Sequence, residues 1–392
     1  MGFFSGRMTC VRFRFTGPPP RIFSEDHTTA LDTFAIGKEK IASSDGSSAG
    51  WIAGDHILDL NFHLAKNIVN DTLHFALRMD SQAIPNDLLR AYTQVELEAI
   101  AAENPSGHPS NRQRREARDS ARDRLEAEAA DGRFLKRKSA PILWDAQTNE
   151  VLVGTTSVTL IDRFLNHFLK TFDHGLELLG AGRQAYLLAE ARNQTRGVDD
   201  AKIATYVPGK SASEVAWAPD DTTRDFLGNE FLLWLWYLLD TKTDTVPLAD
   251  DSEVAVMLTR TLNLECPRGQ TGKDSIAADG PTQLPEAKRA IQAGKLPRKV
   301  GLILVRHEQQ YELTLQAENL AINAARFPAP EGDNDQAIRE NRVSQIRHLL
   351  ETLDLLYDAF GNVRFGGTWP QELQQIQQWL MREDRGKLPA TG

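Results

Sequence analysis

The run from Phe226 to Leu239, Phe-Leu-Gly-Asn-Glu-Phe-Leu-Leu-Trp-Leu-Trp-Tyr-Leu-Leu, constrains the chain more than any other stretch. Its apolar residues do not keep to one side of a helix, so a helix built from it must be covered all round. The most apolar part, Phe231 to Leu239, is about half the ~20 residues that span a bilayer, so the cover is expected to be protein. A central core helix of this kind needs a large fold around it, and 392 residues provide two or three structural units. With 41% hydrophobic and 25% charged residues the composition is that of a globular chain, which excludes a disordered or membrane-embedded one.

Other elements are read from periodicity. Strict alternation predicts strands at Thr9–Phe15, Leu73–Met79, Ile142–Trp144, Val151–Val153 and Val254–Leu264, and a hairpin from Val300–Val305 and Tyr311–Leu315. Helical spacing predicts Ser24–Phe34 with Ser24 as cap, Leu88–Ala102, and an amphipathic helix carrying Ile161, Phe164, Leu165, Phe168, Leu169 and Phe172. Two helices follow at the end, Asp335 to Phe360 stopped by Gly361, and Pro370 to Met381. Strands and helices do not alternate regularly, so the expected class is α+β, with mixed or antiparallel sheets, packed helices and several domains. The expected divisions are an α+β unit over 1–104, a basic helical arm over 105–140, a central α+β unit over 141–265, and a C-terminal hairpin with helices over 266–392.

Charge is polarised along the chain. Residues 111–138 hold ten basic residues (Arg112, Arg114, Arg115, Arg118, Arg122, Arg124, Arg133, Lys136, Arg137 and Lys138) against six acids, a net +4 in a chain of net −9. Asn104 to Ser110 breaks the chain, and Ser110 can cap a polar helix from Asn111 to Ala130. At about 100° per residue, with Arg114 at zero, Arg118 falls near about 40°, Arg122 near about 80° and Arg115 near about 100°. Glu126, Asp119, Asp123 and Glu116 fill roughly the next 80°, so a cationic stripe lies beside an anionic one. The same pattern describes a solvated helix held by the pairs Arg112–Glu116, Arg115–Asp119 and Arg122–Glu126. Two features favour nucleic acid. Arginine, whose planar fork suits phosphate, supplies every cation of the helix, and four more cations follow in Arg133-Phe134-Leu135-Lys136-Arg137-Lys138. Such contacts reach the backbone and carry no sequence preference.

Other motifs weaken on inspection. Gly269-Gln270-Thr271-Gly272-Lys273-Asp274 lacks the first glycine and the final hydroxyl of a P-loop. Gly180-Ala181-Gly182-Arg183-Gln184-Ala185 fits a dinucleotide fingerprint with Asp199 downstream, but without repeated βαβ units it reads better as a turn between helices. No zinc spacing and no nucleophile elbow is visible, and no metal or other cofactor is expected. The acidic pairs Asp199/Asp200, Asp220/Asp221 and Asp250/Asp251 read as turn chemistry; a metal-dependent DNA exonuclease built on them is the alternative. A third possibility is that the polar helix binds a protein partner. Cys10 and Cys266 cannot make a disulfide framework, and no secretion leader is visible, so a cytoplasmic chain is expected. The terminal Leu388-Pro389-Ala390-Thr391-Gly392 spells a sorting signal without its apolar tail and reads as coincidence.

In ordered pieces along most of its length the chain resembles the recombination-associated protein RdgC family. The pieces are Ala30-Leu31-Asp32-Thr33-Phe34 followed by Ala49-Gly50-Trp51; the basic stretch before Leu143-Trp144-Asp145; Asn149-Glu150-Val151-Leu152-Val153 with its amphipathic helix; Phe226 to Trp236; and Ala290-Ile291-Gln292-Ala293-Gly294-Lys295 before the hairpin. The resemblance implies a homodimer closed into a ring that threads double-stranded DNA, a non-enzymatic role in recombination or replication that modulates access of the recombinase filament, and a nucleoid location without membrane attachment. It also implies a DNA contact for Arg133, while Leu135 stands where family members carry an aromatic residue.

Overall fold

The computed structural model describes residues 2–38, 47–103, 107–207, 221–266 and 272–382. In chain order the elements are β1 (Met8–Phe15), α1 (Glu25–Thr33), β2 (Ser48–Ile52), α2 (Leu64–Asn67), β3 (Ile68–Val69), β4 (Thr72–Gln82), α3 (Asn86–Glu103), α4 (Asn111–Ala129), β5 (Leu135–Asp145), β6 (Glu150–Val153), α5 (Val158–Phe172), β7 (Leu176–Leu178), α6 (Ala181–Glu190), α7 (Thr195–Asp199), α8 (Phe226–Thr241), β8 (Thr245–Pro247), β9 (Glu253–Glu265), β10 (Lys273–Ala278), α9 (Pro285–Gln292), β11 (Leu296–Arg306), β12 (Gln309–Gln316), β13 (Ile322–Arg326), α10 (Asp335–Arg364) and α11 (Trp369–Met381). The class is α+β, and the strand pairings given below are all antiparallel. The chain divides into two compact units, one within 1–24, 64–74 and 141–392, the other within 25–63 and 75–140.

The larger unit is built on the strand order β10-β9-β11-β12-β13-β1-β6-β5. The predicted hairpin forms with Val300 opposite Leu315 and Leu304 opposite Tyr311, turned at His307 and Glu308, both at positive φ. Against this sheet lies α8, in which every residue from Phe226 to Leu238 is buried. Phe231 meets Tyr357 and Phe360 at 5.1 and 5.8 Å between ring centroids, and Trp236 meets Trp379 at 5.4 Å. Gly228 sits where a side chain cannot: a Cβ there would lie 1.8 Å from the Ala317 carbonyl oxygen. The fully buried Glu230 is held by Arg364 at 2.6 Å and accepts from the Ala204 amide at 2.7 Å. That pairing explains why α10 does not stop at Gly361: Arg364 has to remain on the helix to reach Glu230. Burial raises the Glu230 carboxyl pKa against the opposing pull of Arg364.

In the smaller unit β2 pairs with β4, Trp51 opposite Leu77, and Trp51 meets Phe75 at 5.1 Å. Helices α3 and α4 complete it. α4 begins in a capping box, with the Gln113 amide donating to Ser110 Oγ and the Ser110 amide donating to Gln113 Oε1. Its buried seam is Ala117, Ala121, Leu125 and Ala129, one residue per turn. Against it, Tyr92 of α3 donates to Glu128 at 2.9 Å and carries Arg124 over its ring at 4.4 Å.

Several elements differ from the sequence reading. β5 begins at Leu135, well before the predicted Ile142, so Lys136, Arg137 and Lys138 belong to a strand and alternate between its faces. β2, β10 and β13 carry too few alternating apolar residues to stand out, and their pairing partners hold them extended, whereas the short strand expected at Leu176–Leu179 forms as β7.

Candidate nucleic-acid interface

All ten basic residues of the 111–138 segment are exposed, and all lie in the smaller unit. What separates them is their partners. Arg112 pairs with Glu116 at 2.8 Å, Arg122 with Glu126 at 2.9 Å and Arg124 with Glu128 at 3.6 Å, each one helical turn on. Arg133 pairs with Asp131 at 2.6 Å. Arg137 lies 3.8 Å from Asp80, which is itself gripped by Arg78 at 2.5 Å. Two of the three predicted pairs of the helix form. The third, Arg115–Asp119, does not appear among the ion pairs of the described residues.

Five cations therefore have no acidic partner among the described residues: Arg114, Arg115, Arg118, Lys136 and Lys138. Arg114 donates only to the Pro109 carbonyl, at 3.4 Å. Arg114 and Arg118 share a row that runs beside the buried seam, about 60° from it, so both project from the flank of the helix. Lys136 and Lys138 share the strand face opposite Arg137. An exposed cation with no acid to neutralise it keeps its charge for an external anion. One already paired must first give up that partner, and an exposed pair is worth about 0–1 kcal/mol. The arrangement suits phosphates.

The remaining motifs resolve into packing. Gly180 caps α6, and a Cβ on Gly182 would lie 1.6 Å from the Thr223 carbonyl oxygen, so this glycine run serves close approach of two chain segments. The preceding β7 pairs antiparallel with β1, not in the parallel arrangement of a dinucleotide fold. Lys273 and Asp274 sit on β10, paired with Glu265 at 3.0 Å and Lys295 at 2.5 Å; Gly269 to Thr271 lie outside the described residues, as do Asp220 of the acidic pair, Asn104 to Ser106 of the break and the terminal Leu388 to Gly392. Asp200 pairs with Arg196, and Asp250 accepts from Ser252 and Arg306. The Ser252 hydrogen bond and Arg306 hold the Asp250 carboxyl down, at about 2. Among the described residues no group of three or more His, Cys, Asp or Glu side chains is placed to hold a metal ion, and no helix is long and apolar enough to cross a membrane. Sequence reasoning did not single out Asp80, which bears on Arg137 from a different strand.

No family model matches this chain, and no curated protein matches it.

Proposed function

We propose that the chain is a non-enzymatic, sequence-independent double-stranded DNA-binding protein of recombination or replication. It binds phosphates through the exposed surface of α4 and the start of β5. The observation that carries this reading is the set of five exposed cations, Arg114, Arg115, Arg118, Lys136 and Lys138, without acidic partners among the described residues, in a chain whose net charge is −9. The resemblance to the RdgC family supplies the finer reading: a homodimer that encircles duplex DNA, sits on the nucleoid in the cytoplasm and modulates access of the recombinase filament.

Each phosphate contact releases counterions, so log affinity falls with log salt by about 0.9 per contact. The test is a salt titration of full-length chain on linear and on closed circular duplex. Alanine at all five positions is expected to flatten the slope and weaken binding at every sequence alike. An unchanged affinity and slope in that variant removes the assignment. Equal loss from linear and closed circular duplex as salt rises removes the encircling.

A further inference from the structure

Helix α5 is apolar over more of its circumference than its own unit covers. Leu160, Phe164, His167 and Phe168 form its buried arc. Beside that arc run Val158, Ile161, Leu165, Leu169 and Phe172, all within about 80° of one another. Val158 is 71% exposed and Leu169 50%, while Ile161, Leu165 and Phe172 are half-buried. A surface helix is satisfied by an apolar sector of about 100°; that of α5 spans about 200°.

The uncovered stripe is palindromic. Counted from Leu165, its apolar positions fall four residues away (Ile161 and Leu169) and seven away (Val158 and Phe172) in both directions. A heptad seam would put Phe168 in place of Leu169, but Phe168 is fully buried in the unit's own core, whereas Phe172, which also touches Trp144, keeps part of its surface exposed. We propose that α5 is the contact between two copies of this chain, packed antiparallel about a two-fold axis through Leu165. Val158 then meets Phe172 of the second copy, Ile161 meets Leu169, and Leu165 meets itself, the self-matching register an isologous interface requires. The ring contacts Phe172–Trp144 and Trp144–Phe23 lead from the end of the stripe to Ile22, 72% exposed, which widens the apolar surface.

The inference rests on the homodimer of the proposed function and adds where the copies meet. The test measures the mass of the full chain in solution by light scattering, together with two variants at α5. The wild-type chain is expected at twice its 43.7 kDa. Leu169→Asp, at an exposed position, is expected at half the wild-type mass with unchanged circular dichroism and melting. Leu165→Cys is expected to give a covalent dimer on mild oxidation, whereas Thr159→Cys, off the stripe, gives none; Cys10 and Cys266 are buried and contribute little background. A dimeric wild type whose Leu169→Asp form stays dimeric and whose Leu165→Cys form does not cross-link overturns the α5 contact and leaves the homodimer standing. A monomeric wild type overturns both.

Discussion

The core of the larger unit and helix α4 of the smaller one use arginine in opposite ways. In the larger unit Arg12 is 3% exposed and bound on two sides, by Glu150 at 2.8 and 2.9 Å and by Asp354 at 2.6 and 2.7 Å. Arg306 and Arg364 are buried likewise, on Asp250 and Glu351 in one case and Glu230 in the other. In the smaller unit the arginines of α4 stand in solvent, held by one weak pair each or by none. A guanidinium taken out of water has to be matched, by carboxylates at Arg12, Arg306 and Arg364 and by the Phe3 and Gly6 carbonyls and the Phe327 ring at Arg342, and once matched it has little left to offer a ligand. Counting arginines therefore locates nothing. Burial and partners divide those that hold the fold from those that can meet an external anion.

That division can be broken most sharply at Arg364. Alanine there leaves the buried Glu230 carboxyl without its partner and is expected to cost about 3–5 kcal/mol in denaturant unfolding, at a pH where the unfolded chain holds that carboxyl ionised. The loss should depend on pH. Burial raises the Glu230 pKa and Arg364 pulls it down. Without the arginine the folded value climbs further above the unfolded value of about 4.3. The native state then keeps a proton that the unfolded chain has released, so stability is highest below the ordinary Glu range and falls as pH rises through that window. A loss that does not vary with pH would mean that Glu230 is not what Arg364 holds. Next in size is the five-residue alanine variant of Arg114, Arg115, Arg118, Lys136 and Lys138. It should remove up to about 0.9 of salt slope per lost phosphate contact, while each substitution moves unfolding by no more than about 0.5 kcal/mol. Alanine at the paired Arg112, Arg122 and Arg124 should take less slope per residue; equal effects would erase the distinction between free and paired cations. Smallest is Ser110→Ala, which removes the cap of α4 and should cost about 1 kcal/mol, read as lower helicity or faster amide exchange in that helix.

Much of this was visible in the residues alone. The all-round apolar run predicts α8 at the centre, period-two alternation predicts β9 and the hairpin, and Ser110 marks the start of α4. These are local signals, repeated over enough residues to outweigh noise. The N-terminal half of β5 was hidden because Lys136, Arg137 and Lys138 carry no apolar alternation and become a strand only by pairing. Within the basic cluster, spacing predicts Arg112–Glu116 and Arg122–Glu126 along α4, but not which other i,i+4 pair forms, Arg124–Glu128 rather than Arg115–Asp119. The contacts of Arg137 with Asp80 and of Arg124 with Tyr92 join distant parts of the chain, so only the fold decides which cations stay unpaired.

The alanine seam of α4 has a consequence for motion. Three of its four buried residues are alanine, and every described side chain of α3 is at least partly exposed. A helix pair that hides so little apolar surface has a small free energy of local opening. Its amides should exchange with solvent well before those of α8, whose side chains from Phe226 to Leu238 are all buried. A ligand that bridges Arg114, Arg118 and the neighbouring strand would slow that exchange selectively. Protection of α4 against deuterium uptake would then report occupancy even where affinity is low.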